Sequence, residues 1–436
     1  ILEKAVHLFS EDKKGHNLLT ELNDDNFENF LKKEFILSFE KSFVNMRKST
    51  SKNSSGQYSK TTNVENLRKF IDVNFPSNQD IDPITILNKV ISLVRSGEQD
   101  ANILFLAKKS QYESSREIYE QNFYGKVLTL VVQKIFKLLN KTEEREMVVE
   151  SQKDKISLIR DSTKILMKKR KDDEVILFHN GDMSAWSGRD IFDKFLLLND
   201  YLKQYNVIGK KAHAMIKICL EKTRKPKVYI GKHYNDLSPE IQKLMKEDEN
   251  GQKYILYDHS WGQGLFHNIS SFVHSLEQIF RMFLFKGHLK TNFKYELDTK
   301  NWFQAVHSDD KNEAILIPKR FVDDFIRYST FIPRMFALEA SETKDSFSFI
   351  GSEMVGVQNF KGQIFDNGVK TISQIFSKCE DKSIVDNYKY IVNRATSYFM
   401  KSNDIFGAQF IETINRKRLI KITNVDEEDI IPVNFS

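Results

Sequence analysis

The chain has 436 residues, 40% of them hydrophobic and 29% charged, which excludes a disordered chain and exceeds what one small domain needs. Its 66 Lys and Arg against 60 Asp and Glu leave a formal charge of +6, a mild bias towards anionic partners. Apolar runs are short and broken by charge, which excludes a spanning helix. Cys219 and Cys379 stand far apart, which argues against a disulfide framework or zinc site and fits a reducing compartment. The chain opens on Ile1 rather than Met and carries no signal peptide, which reads as a segment of a longer polypeptide.

In chain order, Phe27, Phe30, Leu31 and Phe35 recur at helical spacing, and the Ser/Thr-rich run 50–63 reads as a mobile loop or linker. A wide apolar face predicts a helix over Lys126–Asn140, and a second is predicted over Ile156–Lys171. The latter ends in Lys168-Lys169-Arg170-Lys171, a basic terminus that the helix dipole favours without any ligand. Glu174–Asp182 reads as a strand ending in a carboxylate, followed by a helix over Ile191–Tyr205. Residues 207–258 form a mixed region with Pro226, Pro239 and a turn at 247–251. Leu265–Phe285 has strong helical periodicity. Trp302–His307 and a run ending Ala314-Ile315-Leu316-Ile317 flank Ser308-Asp309-Asp310, which predicts a hairpin with adjacent carboxylates at its tip. From Gly368 onward the pattern is mostly helical. There is no internal repeat and no regular βαβ alternation, so the expected class is α+β.

Two acidic side chains at a hairpin tip repel each other unless a cation neutralises them. An Asp at a strand end ordinarily caps the next helix, and Asp-Asp in a turn is ordinary turn chemistry. If the fold brings Asp182 beside Asp309 and Asp310, however, the set has the oxygen ligands that divalent cations need for phosphoryl transfer.

The motifs also resemble a known family in their order. Asp182-Met183-Ser184-Ala185-Trp186-Ser187 resembles motif A of viral RNA-dependent RNA polymerases, in the D-x-S-x-W-S form of bunyavirus-like L proteins, which serve segmented negative-strand RNA viruses. Trp261-Gly262-Gln263-Gly264 with Ser270-Ser271 resembles motif B, and Ser308-Asp309-Asp310 motif C. Lys344 stands where motif D supplies a lysine, and Glu353-Met354-Val355-Gly356 resembles motif E. Residues 108–118, with Lys109-Ser110-Gln111-Tyr112-Glu113-Ser114-Ser115-Arg116-Glu117-Ile118, resemble the basic motif F. The string Gly262–Asn268 is most similar to the emaravirus group.

The resemblance implies templated RNA synthesis with two Mg²⁺ or Mn²⁺ ions held by Asp182, Asp309 and Asp310, with Glu353 as an added ligand. Lys344 would act as general acid towards pyrophosphate. Lys109 and Arg116 would hold the nucleotide triphosphate, and Gln263, Gly264 and Ser270 would read ribose and template. Ordinary readings stand beside these: Glu353 as a solvated turn acid, Lys344 as an exposed loop lysine, and Ser270 and Ser271 as mid-helix serines bonded back to the chain. Trp186 reads as core packing. His259, His267, His274 and His307 lack metal-ligand spacing and read as structural. Ala185, His267 and Gly356 depart from the family, where lysine, asparagine and serine are common.

The implied fold is a right-hand polymerase: 1–181 fingers and flanking helices, 182–206 and 259–360 palm, 207–258 a fingers insertion, and 361–436 the start of the thumb. Residues 1–99 lack the His, acid and Lys set of a cap-snatching endonuclease. Implied partners are viral RNA template and product, nucleoside triphosphates, the rest of the L polypeptide and viral nucleoprotein, in host cell cytoplasm and virion. The rival reading is a non-catalytic RNA-binding subunit of a viral ribonucleoprotein, which would need basic grooves and stacking aromatics but no acidic triad.

Overall fold

The computed structural model describes residues 1–13, 17–34, 48–52, 58–76, 81–109, 116–183, 191–230, 237–258, 261–262, 265–342, 344–354, 357–366, 384–402 and 405–423. Helices and strands are mixed along the chain, the expected α+β class. Helix Leu2–Asp12 and the helical stretch 27–34 come first. The loop or linker expected at 50–63 is corrected on either side of 53–57, which lie outside the described residues: β1 (Lys48–Lys52) and β2 (Tyr58–Thr62) pair antiparallel from Lys48↔Thr62 to Lys52↔Tyr58. Thr is a good strand former, and the hairpin packs on helix Asn63–Asn74 and on β4, which supply the support the run lacks by itself. Thr62 then caps that helix, accepting from Glu65 N at 3.2 Å. Helix Pro83–Ser96 has Asp82 as N-cap, Pro83 at the first turn and Gly97 at φ +81° closing it.

β3 (Ile103–Lys109) and β4 (Arg116–Gln121) lead into helix Phe123–Thr142, which contains the predicted 126–140 span. Val127, Leu128, Val131, Val132, Ile135, Phe136 and Leu139 of this helix are fully buried in the largest core. At about 1.5–3 kcal/mol per buried apolar side chain, this helix is a principal organiser of the fold. It packs against helices Lys210–Thr223 and His267–Phe293.

The predicted strand is β5 (Glu174–Asp182), preceded by helix Gln152–Lys169 and followed by helix Asp193–Gln204. β6 (Lys227–Tyr229), β7 (Lys246–Glu247) and β8 (Lys253–Leu256) join β3 and β4 in one sheet, order β4-β3-β6-β8-β7. The region 207–258 thus shares a sheet with 103–121.

The predicted hairpin is present as β9 (Trp302–His307) and β10 (Asp310–Pro318). With β5 and β11 (Ser346–Ser348) it forms an antiparallel sheet of order β11-β5-β10-β9. One face packs Ile176, Phe178, Ala314 and Leu316 with Leu166 of helix Gln152–Lys169. The other packs Leu177, Ile315 and Ile317 with Phe285 of helix His267–Phe293 and Phe325 of helix Val322–Met335. β12 (Gly351–Met354), β13 (Val357–Phe360) and β14 (Gln363–Asp366) form a small antiparallel sheet. Lys361 at φ +50° and Gly362 at φ +79° make the two-residue link from β13 to β14. Helices Ile384–Ser402 and Ile405–Thr423 pack together, in keeping with the helical pattern expected there. Among the described residues no helix is long and apolar enough to cross a membrane.

Candidate active site

Asp182 is the last residue of β5 and Asp310 the first of β10, and the antiparallel register sets them opposite each other. Between β9 and β10 stand only Ser308 and Asp309. Ser308 adopts φ +63°, a left-handed conformation unusual for a residue with a Cβ, and this reverses the chain within two residues. Asp309 O accepts from Met183 N at 3.1 Å, so the hairpin tip is tied to the end of β5. Carboxylate oxygens of Asp182, Asp309 and Asp310 all lie within 4.8 Å of one another, on half-buried side chains. With metal–oxygen distances of roughly 2.0–2.6 Å, oxygens this close can share a divalent cation. The expectation that the fold joins these three aspartates is met.

Lys344 Nζ lies 2.6 Å from Asp182 Oδ2. The hydrogen bond and charge of Asp182, with added pull from Asp310 and Asp309, hold the ammonium above its ordinary pKa. Its side chain is 66% exposed, so the ammonium can leave Asp182 without crossing the core. The segment carrying it is fixed from below. Ser341 N donates to Asp182 O at 2.7 Å, and Asp345 Oδ1 lies 2.8 Å from His179 Nε2. Phe347 stacks on the His179 ring with centroids 4.1 Å apart, and His179 Nδ1 lies 3.2 Å from Glu313 Oε1. Against the penalty of burial, His179 and the charge of Lys311 hold the Asp345 carboxyl below its usual range.

The start of helix His267–Phe293 grips the hairpin. Ser271 Oγ accepts from Ser308 N at 3.0 Å, and His274 Nδ1 lies 2.8 Å from Ser308 O. A carbonyl oxygen only accepts, so Nδ1 is the protonated nitrogen. Burial lowers the His274 pKa to about 3, which keeps the ring neutral. Ser271 Oγ also donates to Glu146, at 2.9 and 2.7 Å from its two oxygens. Glu146 accepts further from Ser275 Oγ at 3.0 Å and from Val148 N at 2.8 Å.

Burial raises the Glu146 pKa from 4.5 to about 7, with the hydrogen bonds opposing. The folded carboxyl therefore keeps its proton where the unfolded chain has released it. Stability from this group is full below about pH 4.5 and is lost as pH rises through 7, on the order of 3 kcal/mol in total. Urea titrations at pH 5 and 7.5 should show the stability of the parent falling relative to that of Glu146→Gln, the opposite contribution of buried His274 being common to both.

Beneath the aspartates is a buried charge network that sequence reading missed. Arg281 is fully buried; its Nε donates to Glu277 Oε1 at 3.2 Å and its Nη1 to Ser329 Oγ at 2.6 Å. Its Nη2 pairs with Gln278 and with Glu313. Trp302 Nε1 donates to Glu313 Oε2 at 3.0 Å. Against burial, Arg281 and then His179 hold the Glu313 carboxyl well below the usual range, whereas burial prevails at Glu277 and raises its pKa. Lys311 is buried as well, and its stem runs so close over Gly181 that a Cβ there would collide with it. The helix periodicity hides this set, because Glu277 and Arg281 read as a solvated i, i+4 pair.

The remaining candidates are placed as follows. Lys109 and Arg116 face each other where the β3–β4 ladder ends; their side chains, and Ser110–Ser115, lie outside the described residues. Gln263, Gly264, His259, Trp186 and Cys379 also lie outside them. Ser270 is buried and its Oγ donates to His267 O at 3.0 Å, the back-bonding that a mid-helix serine adopts. Glu353 is exposed on β12; its N donates to Asn180 Oδ1 at 2.8 Å and its O accepts from Asn312 at 3.3 Å. Its carboxylate is not among the three that cluster. His267 and His307 pack edge to face beside the hairpin, centroids 6.0 Å apart. Cys219 is a buried free thiol, pushed up to about 12 by burial.

No protein-family model matches the chain. Among curated proteins it is similar to the RNA-directed RNA polymerase L of Bunyamwera virus, 26% identical over 292 residues. The match covers 61% of this chain and 13% of that protein, so the chain spans a small part of its relative's length.

Proposed function

We propose that this chain is the core of an RNA-directed RNA polymerase of the bunyavirus-like L protein kind, from an emaravirus-like branch. The observation that carries the reading is the convergence of Asp182, Asp309 and Asp310 at the ends of adjoining strands. The similarity to a bunyavirus polymerase supports it. In this reading 182–206 and 259–360 are palm, 1–181 and 207–258 fingers, and 361–436 the start of the thumb. The sheet shared by 103–121 and 227–256 supports grouping those segments.

The reaction joins a primer 3′-oxygen to the α-phosphorus of a nucleoside triphosphate and breaks the bond from that phosphorus to the bridging oxygen, releasing pyrophosphate. Asp182 and Asp309, with Asp310 beside them, would hold two Mg²⁺ or Mn²⁺ ions, and Glu353 would add a ligand from β12. Such ions, when bound, lower the hydroxyl's pKa and neutralise charge on the leaving group. Lys344, kept protonated by the aspartates, is suited to hand its proton to pyrophosphate. Lys109 and Arg116 would hold the triphosphate; Gln263, Gly264 and Ser270 would meet ribose and template. Partners in this reading are viral RNA template and product, the rest of the L polypeptide and nucleoprotein, in host cytoplasm and virion.

The test is primer extension by the full-length protein on RNA templates of different sequence, with Mg²⁺ or Mn²⁺. Product sequence should follow the template, and EDTA should stop it. RNA binding with no extension under any of these conditions would instead support the non-catalytic RNA-binding subunit.

A further inference from the structure

We infer that Glu146 and Ser271 are positioning residues that set the cation-binding geometry of the hairpin tip through the backbone of Ser308. The inference rests on reading Asp309 as a cation ligand. Glu146 is remote in sequence from both the helix start and the hairpin, and no motif marks it.

The argument begins with donors and acceptors. A backbone N–H only donates, and a serine hydroxyl has one proton and two lone pairs. With Ser308 N donating to Ser271 Oγ, the hydroxyl proton is free to go to Glu146, as the geometry shows. The polarity runs one way, from Ser308 N–H through the Ser271 hydroxyl to the Glu146 carboxyl. All three residues are buried, at 4%, 0% and 2% exposure, so water cannot substitute for a missing link. Such chains strengthen each member when complete.

Position adds to polarity. Met147 N donates to Val306 O and Val306 N to Arg145 O, both at 2.7 Å, so Glu146 forms a single parallel bridge to Val306 of β9. Glu146 is thus indexed to the same strand that delivers the hairpin. Ser308 is held in its left-handed conformation from both sides, its N by Ser271 and its O by His274. A left-handed residue directly before Asp309 decides where that carboxylate emerges. Release of Ser308 N would let φ relax towards negative values, and Asp309 would leave the set within 4.8 Å.

Ser275 separates this role from mere packing. It donates to the same carboxyl at 3.0 Å and is fully buried, yet Ser308 N bonds Ser271 rather than Ser275. Ser271→Ala and Ser275→Ala each delete one buried hydroxyl from Glu146 and should both lower the melting temperature, Ser271→Ala further because Ser308 N is left without its acceptor. Only Ser271→Ala breaks the chain to Ser308.

The experiment measures Mn²⁺ binding by electron paramagnetic resonance in the full-length protein, beside the Mg²⁺ concentration that half-saturates primer extension. Ser271→Ala should weaken both by about 10–100-fold, as loss of an outer support of a metal site does, with Ser275→Ala close to the parent. Glu146→Gln, which keeps a carbonyl acceptor for Ser271, should retain more Mn²⁺ affinity than Glu146→Ala. Equal Mn²⁺ affinity in Ser271→Ala and Ser275→Ala overturns the inference, whatever the polymerase assay shows. A parent that binds Mn²⁺ tightly, loses it in Ser271→Ala and never extends a primer sinks the polymerase reading and leaves the positioning role standing. A parent that binds no Mn²⁺ sinks both.

Discussion

Asp309→Asn is expected to cut templated extension by about 10³-fold or more while leaving the fold intact. The substitution keeps the shape of the side chain and its place in the turn. It removes one full negative charge from a group whose oxygens lie within 4.8 Å. Without a cation, that proximity is repulsive, and Lys344 at 2.6 Å from Asp182 offsets only part of it. The melting temperature of the apo-protein should therefore stay level or rise slightly. Added Mn²⁺ should raise the melting temperature of the parent and not of the variant, since a ligand stabilises only the state that binds it. Extension by Asp309→Asn at the parent's rate would remove Asp309 from the chemistry.

The largest stability loss is expected from Arg281→Met. Both side chains are long and the replacement fills most of the volume, so packing is nearly kept. What is lost is the cation between Glu277 and Glu313. Removing one partner of a buried ion pair costs about 3–5 kcal/mol, because the carboxylates left behind have no water. The Glu313 pKa should then rise, with His179 and Lys311 still opposing, so the deficit should shrink at low pH. Urea unfolding at pH 7.5 and pH 5 reads both effects. Adding Glu313→Gln to Arg281→Met should recover part of the loss, since an amide can stay buried without a counter-charge. A loss below about 1 kcal/mol at pH 7.5 would show that the network is not what holds β10 to helix His267–Phe293.

Local signals were legible in proportion to how far local chemistry decides them. Adjacent carboxylates between two apolar runs told of the Ser308-Asp309 turn, and period-3.6 patterning told of helices over 126–140 and 265–285, which the structure has at 123–142 and 267–293. Pairing of Asp182 with Asp310 followed once both were placed at strand ends of one sheet. The 48–62 hairpin was not legible, because Ser, Thr and Lys carry no alternation of apolar residues and its support comes from neighbouring elements. Glu146 was not legible either. It lies 125 residues from Ser271, and nothing in an acid-rich stretch such as Thr142–Glu146 says which acid turns inward. Buried Arg281 and Glu313 fail for a related reason: charge in sequence reads as surface, and only the tertiary partners reverse that.

β10 has one more implication, for how this chain can change. Asp310 faces Asp182 across the ladder, and the next residue, Lys311, faces Gly181 from the opposite side of the sheet. Deleting or inserting a single residue between β9 and β10 would exchange those sides. A deletion would bring Lys311 to the place of Asp310, an ammonium among the aspartates, and an insertion would bring Asp310 to the place of Lys311, a carboxylate in the interior. Either event turns every later side chain of β10 to the wrong face, and no single substitution elsewhere mends that. Codon gains and losses in this turn should therefore disrupt the fold where point changes at its outward positions are tolerated. Length, more than composition, is the invariant this hairpin imposes on its descendants.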